Sequence, residues 1–302
     1  MMIIVFSILV HEKLEIVLDQ INNFKKFNPE SVIVIHLSKS FRSQINSQIC
    51  DLEIIRNVYI NPISLDTGIG DNSQLFGHIE NIRYVLKKSF YFDYVSLHAS
   101  NDMFVRTGLD LYMRNFEVGS TNFQITKKKD WIQGKSAIND RVLQRILKDN
   151  SKSVEDLRGS QVEGLFMNKD IVIKVIDVFD NYNISSNVTL LGELMRRLFR
   201  SRYIRKIIIF FNSSLFYAKE EVYFATIMNL FAHKFGQPYV YVNWVKNLNI
   251  DVEDIIAIRN SDWSFFYHKL NENSNSKRVF YAVKRVQRDV NDPIRQYINS
   301  IC

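Results

Sequence analysis

Residues 3–10, IIVFSILV, form an unbroken apolar run, and residues 31–37, SVIVIHL, form another. Between them, residues 13–27 place Leu14, Val17, Leu18, Ile21 and Phe24 at helical spacing on one face. Strand, helix and strand in this order predict a βαβ unit with parallel pairing and a ligand crevice beyond the carboxyl ends of the strands. His11 and His36 stand at those ends. The alternation continues with a short strand at 54–60, a helix at 76–88 and an apolar strand at 94–97 that runs into Ala99, Ser100, Asn101 and Asp102. Later come an apolar strand and helix 170–179, helix 190–206, the apolar run IIIFF at 207–211, a strand at 239–244 and a helical stretch at 253–270. The predicted class is α/β, with a mixed central sheet flanked by helices.

The segment AKEEVYFATI at 218–227 sets Glu220 and Glu221 directly before an almost wholly apolar helix, after the run 207–211 and a polar turn at 212–214. Both carboxylates then sit in a first helical turn at the mouth of the sheet. Acids are common there because the helix dipole favours negative charge, so spacing alone does not separate a catalytic role from an electrostatic one. The same dipole predicts that Glu221 stays ionised at neutral pH. Asp102, just beyond a central strand, is either a ligand-binding carboxylate or the start of an Asx turn.

At 302 residues and 46% apolar side chains, the chain can bury a large core and is neither disordered nor fibrous. Two cysteines, Cys50 and Cys302, cannot frame a disulfide scaffold and fit a reducing cytosol. The run 3–10 is too short to span a bilayer and lacks a basic leader, so it is expected to be a buried strand. A formal charge of +7 implies attraction to anions: nucleic acid, a nucleotide diphosphate or an acidic membrane surface. No nucleic-acid module is recognisable, and the aromatic residues lie in apolar runs, which excludes nucleic acid from the expected partners. Lys127, Lys128, Lys129 and Lys135 around Trp131 read as a solvated surface or as an anion-steering patch. The segment 190–206 interleaves Arg196, Arg197, Arg200, Arg202, Arg205 and Lys206 with apolar residues, which suits a plain amphipathic helix, a partner surface or contact with anionic lipid.

Several of these stretches resemble, in order, motifs of the core-2 and I-branching N-acetylglucosaminyltransferases and the peptide xylosyltransferases. Residues 218–227 are similar to that family's Ser-Pro-Asp-Glu-x-x-x-Ala-Thr, with Glu221 at the catalytic base, Ala225 and Thr226 at the Ala-Thr, and Ala218-Lys219 in place of Ser-Pro. Val10-His11 and residues 36–40 resemble the strand ends that help hold the nucleotide, with Ser38 in place of an acid. Phe76-Gly77-His78 is similar to Trp-Gly-Gly, and Asp102 falls on the aspartate of Ser-Gly-x-Asp-x-Pro-Leu. Gly159-Ser160-Gln161 resembles the acceptor-framing Gly-Ser-Gln-Trp, with Val162 replacing the Trp, and Asn243-Trp244 matches a strand end. Residues 261–270 look like the segment whose lysine contacts the diphosphate, here Lys269 beside His268.

The resemblance, which covers residues 3–270, implies a Rossmann-like fold of the GT-A type in a single domain. Residues 1–125 would form the nucleotide-sugar half, 155–270 the acceptor and catalytic half, and 271–302 a basic tail. It implies an inverting, metal-independent transfer from a UDP-sugar, UDP-N-acetylglucosamine or UDP-xylose, to an acceptor hydroxyl, with no cofactor. Glu221 would be the catalytic base. His11, His36, Asp102, Lys269 and either Lys246 or Arg259 would bind the donor, and Glu163 and Gln161 the acceptor. No Asp-x-Asp occurs, which agrees with the family's lack of a metal. Expected partners are the nucleotide-sugar and a saccharide or lipid-linked saccharide acceptor, as in bacterial surface polysaccharide or glycolipid synthesis. The expected location is the cytoplasm, with peripheral contact at the inner face of an anionic membrane. The rival reading is a non-catalytic nucleotide- or carbohydrate-binding protein on the same scaffold.

Overall fold

A computed structural model describes residues 2–66, 72–126, 134–184, 217–243, 249–262 and 278–301. The chain opens with β1 (Ile4–Val10), α1 (Leu14–Phe27), β2 (Val32–Leu37) and β3 (Val58–Ile60). α2 (Ser73–Lys87) leads to β4 (Tyr94–Ala99) and the short β5 (Met103–Phe104). Then come β6 (Val118–Gly119), β7 (Phe123–Gln124), α3 (Arg141–Asp149), β8 (Arg158–Gly159), β9 (Phe166–Asn168) and α4 (Lys169–Asn181). The last described elements are α5 (Lys219–Phe231), β10 (Phe235–Gly236), β11 (Val240–Tyr241), α6 (Val252–Asn260), β12 (Ala282–Val283) and α7 (Pro293–Ser300).

Among the described residues, seven strands form the central sheet in the order β10-β6-β9-β4-β1-β2-β3. β1 pairs parallel with both β2 and β4, whereas β9 runs antiparallel to β4 and β6, so the sheet is mixed. Every residue of β1 and β2 is buried, as expected of strands covered on both faces. Alternate side chains reach opposite layers: Val5 packs with residues of α2, α4 and α5, while Phe6 and Ile8 pack with α1. The α/β class with a mixed central sheet flanked by helices is therefore the observed architecture. From β1 the chain steps through β2 to β3 on one side, and β4 lies on the other. The strand order thus reverses between β1 and β4, and a crevice opens beyond the carboxyl ends of such a pair.

A second sheet, β11-β12-β5, joins three distant parts of the chain. β12 runs antiparallel to β5, pairing Val283 with Met103, and parallel to β11. Downstream, α7 docks on α1 through Arg295, which is fully buried and ion-paired with Asp19. Asn299 also donates to Asp19 Oδ1 at 2.6 Å. Residues 278–301, expected to lie in a basic tail, therefore contribute a strand and a packed helix.

Some boundaries differ from the sequence expectation for physical reasons. The strand expected at 54–60 is only Val58–Ile60, because Ile49–Glu53 is helical and Asn57 takes a positive φ of 60°. The helix expected over 253–270 ends at Asn260, where Ser261 turns left-handed and the Asp262 N–H bonds to Ala257 O at 2.8 Å. The basic helix 190–206 and the strand 207–211 lie outside the described residues, as do Lys127, Lys128, Lys129, Trp131 and the side chain of Lys135. No described helix is long and apolar enough to cross a membrane.

Candidate active site

Asp102 lies just beyond β4, at the switch point, and is fully buried. Its Oδ2 accepts the Ala99 N–H at 3.0 Å and lies 3.0 Å from His98 Nδ1. Gln20 of α1 clamps the turn by donating to Ala99 O at 2.7 Å and Asp102 O at 3.0 Å. Burial pushes the Asp102 carboxyl up, against the pull of His98. Continuing the antiparallel register of β12 and β5 by one residue sets Lys284 opposite Asp102.

Lys284 is ion-paired with Glu163. Burial alone would favour loss of the lysine's proton, but Glu163 and Asp102 hold its pKa above the ordinary value. Burial likewise opposes the charge on Glu163, and Lys284 outweighs it and holds that carboxyl below the usual range. The turn carrying Glu163 is fixed by Gly164, whose φ is +75° and where a Cβ would stand 2.6 Å from Val240 N. Gln161 closes the same turn, its Nε2 donating to Glu163 O and Val240 O, each at 2.8 Å.

Glu221 enters from the first turn of α5. Thr226 anchors that helix to β8, its hydroxyl accepting from the Arg158 N–H and donating to Arg158 O, both at 3.1 Å. The Ser160 N–H donates to Glu221 O at 2.8 Å and ties the first turn to the strand leading to Glu163. Burial, followed by the Glu163 charge, pushes the Glu221 carboxyl up to about 7, with Lys284 acting in the opposite sense. The expectation of a fully ionised Glu221 is corrected here, because burial and a neighbouring carboxylate outweigh the helix dipole.

The structure thus brings together Asp102, Glu163 and Glu221, and adds Lys284, which the sequence reading did not single out. Glu12 is a further addition at the end of β1. It is buried, accepts from Ser100 Oγ at 2.9 Å, and lies 2.8 Å from Arg288 Nε and 3.5 Å from His11 Nε2. His11 is exposed. His36 is fully buried, with Nε2 accepting the Leu65 N–H at 2.9 Å. Arg259 reaches back to Val105 O at 3.0 Å. Val162 is buried in the core. Lys246, Trp244, His268 and Lys269 lie outside the described residues. A signal for His98 was present in the sequence: Ser96 and His98 are polar positions, two apart, within an apolar strand. Lys284 offered none, since a strand of two residues has no readable period.

Among the described residues, no group of three or more His, Cys, Asp and Glu side chains is placed to hold a metal ion. What the cluster offers is a carboxyl poised near neutrality, an ionised carboxylate locked to an ammonium, and a buried carboxyl with one oxygen, Oδ1, that has no hydrogen-bond partner.

No protein family's sequence profile matches the chain, and no curated protein matches it. Among solved structures, it is similar to a nucleoside-diphosphate-sugar pyrophosphorylase from Vibrio cholerae RC9, at 8% identity and a TM-score of 0.32, over 64% of this chain and 88% of that one. It is also similar to the galactosyltransferase LgtC in complex with donor and acceptor sugar analogs, at 10% identity and a TM-score of 0.37, over 99% of this chain and 94% of that one.

Proposed function

We propose that the protein is a nucleotide-sugar glycosyltransferase of the GT-A type that works by inverting single displacement, with Glu221 as the base. The observation that carries this reading is the gathering of Glu221, the Glu163–Lys284 pair and Asp102 beyond the carboxyl ends of β1 and β4. The ordered motif resemblance supplies the reaction class. Glu221 takes the proton of an acceptor hydroxyl while the hydroxyl oxygen bonds to the anomeric carbon and the bond to the UDP oxygen breaks. A base with a pKa of about 7 suits this step, because about half of it is ionised at neutral pH and it is basic enough to take the proton. Glu163, kept ionised by Lys284, accepts a second acceptor hydroxyl, and Asp102, expected to bind the donor but fully buried, instead helps hold the Lys284 ammonium. Neutralisation of the leaving diphosphate is assigned to Lys269 with Lys246 or Arg259, and the reaction is proposed to need no metal. The acceptor class proposed is a saccharide or lipid-linked saccharide.

The test is UDP release from a panel of UDP-sugars, with and without EDTA, comparing wild type with Glu221→Gln. Donor-dependent release that survives EDTA and falls about a hundred- to ten-thousand-fold in the variant is the expected result. Release unaffected by the substitution would remove Glu221 as the base. Release abolished by EDTA would remove the metal-free mechanism, and tight UDP binding with no turnover on any acceptor would favour a binding protein.

A further inference from the structure

A line of buried polar groups runs behind Asp102. Ser96 Oγ lies 3.0 Å from Leu165 O and 2.7 Å from Tyr239 Oη. Tyr239 Oη lies 2.6 Å from His98 Nε2, and His98 Nδ1 lies 3.0 Å from Asp102 Oδ2. Ser96, His98 and Asp102 are in or just beyond β4, and all four side chains are buried at 1% exposure or less. With no access to water, each contact must be filled by a proton of the chain itself or stand as two lone pairs in repulsion.

The protons can then be counted. Leu165 O is a pure acceptor, so its contact with Ser96 is a hydrogen bond only if the serine hydroxyl donates to it. Ser96 then has no second proton, and Tyr239 must donate to Ser96. Tyr239 in turn has none left for His98, so His98 Nε2 must carry a proton and donate to Tyr239. The remaining contact, between His98 Nδ1 and Asp102 Oδ2, then requires one more proton between nitrogen and oxygen. In the reverse order, Ser96 donates to Tyr239, Tyr239 to Nε2 and Nδ1–H to an ionised Asp102. That order leaves Ser96 Oγ and Leu165 O, which already accepts the Leu97 N–H at 2.9 Å, as facing acceptors at 3.0 Å.

We infer that His98 is a positioning residue of the site, sharing a proton with Asp102 so that the buried pair is uncharged overall and carries a proton on Nε2. The ring is enclosed by Phe6, Phe24 and Phe104, with centroids 5.4, 4.8 and 5.8 Å away, and by Tyr239. Among the described residues such a wall leaves His98 no hydrogen-bond partner besides Tyr239 and Asp102, whose Oδ2 also accepts the Ala99 N–H at 3.0 Å. The charged and titratable groups acting on the pair from other elements are Glu163 and Lys284 on Asp102, and His78 facing His98. Burial pushing the Asp102 carboxyl up agrees with a retained proton. Held through Oδ2, Asp102 has no partner for Oδ1 among the described residues, and that oxygen is itself buried, so the dyad acts on the site by holding the turn that faces Lys284. The proton count stands without the transferase reading, whereas this last role rests on it.

The experiment is imidazole proton–nitrogen correlation spectroscopy on the unliganded protein labelled with nitrogen-15 histidine. The chain has six histidines, and the His98 signals are those lost in His98→Gln. A directly bonded proton on Nε2 throughout pH 6 to 8 is expected. Ser96→Ala removes the acceptor of the tyrosine hydroxyl, so Tyr239 turns to Nε2 and His98 is expected to switch to the Nδ1–H form. Nε2 without a proton in the wild type, or no switch in Ser96→Ala, would overturn the inference, whatever the enzyme assay shows. If the spectra are as expected and the transferase reading holds, His98→Gln lowers kcat/KM by about tenfold or more through KM for the acceptor. An unchanged KM would remove the positioning role while leaving the proton count intact.

Discussion

Glu221 shows how one residue type is given its chemistry by neighbours remote in sequence. The first-turn acid was legible in AKEEVYFATI, but its proton affinity was not, because that is set by burial and by Glu163, with Lys284 opposing. On the proposed transfer, with Glu221 raised to about 7 and acting as base, kcat/KM should climb as pH rises through 7 and level off above it. Glu163→Gln removes the negative charge that pushes Glu221 up and leaves Lys284 unpaired, and both changes favour the ionised base. The rising limb of the pH profile is therefore expected to move to lower pH, even though the variant also loses an acceptor contact. A limb that stayed in place, or moved up, would separate Glu163 from the base. Lys284 itself became visible only in the fold, when the register of β12 against β5 carried it to Asp102.

At the scale of elements, α5 was legible from its apolar run, but what starts it was not. Ala218 and Lys219 replace the Ser-Pro expected at such a start, and the Ala218 cap position makes no side-chain capping bond. The start is held from α3 instead. Asp140, the N-cap of α3, accepts the Val142 and Leu143 N–H groups, takes the Tyr217 hydroxyl at 2.7 Å and the Tyr223 hydroxyl at 3.0 Å, and lies 3.3 Å from Lys219 Nζ. Although burial opposes its charge, Lys219 and these donors hold the Asp140 carboxyl below the usual range. One buried carboxylate thus fixes the first turns of two helices, and through α5 it fixes Glu221. Asp140→Ala strips the cap and leaves two buried phenols without their acceptor, so a loss of at least ~2 kcal/mol in urea unfolding is expected. A loss within ~0.5 kcal/mol would show that packing alone holds α5.

For the whole molecule, the parallel core of β1, β2 and β4 was legible because these strands are long enough to show apolar runs and β1 and β2 are separated by a periodic helix, whereas β3 kept only the last three residues of its expected span. The second sheet was not, since two-residue strands carry no pattern and pair across distant parts of the chain. Burial of polar groups also gives the molecule an acid limit. His36 of β2 and His78 of α2 are buried, with His78 Nδ1 2.8 Å from Ser7 Oγ of β1, and burial lowers their pKa values to about 4 and about 3. The neutral rings therefore stabilise the fold fully above the unfolded value of 6.5. That contribution, roughly 3–5 kcal/mol each at most, is lost as pH falls toward 4 and 3. Stability measured by denaturant should decline steadily from pH 6.5 downward, and a flat profile to pH 4 would mean that neither ring is held neutral by the fold.

The pairing of β12 with β5 also imposes an order of assembly on the newly made chain. As synthesis proceeds from the N-terminus, β1, β2 and β4 can associate while later segments are still emerging from the ribosome. Asp102 already has His98 beside it, but Glu163 has no counter-charge until Ala282 and Val283 have joined the second sheet and Lys284 has followed them. Until that moment the Glu163 charge acts on Glu221 with no ammonium to offset it. The carboxylate cluster is therefore completed last, and a ribosome stalled before codon 284 would carry most of the central sheet with the cluster still lacking its ammonium.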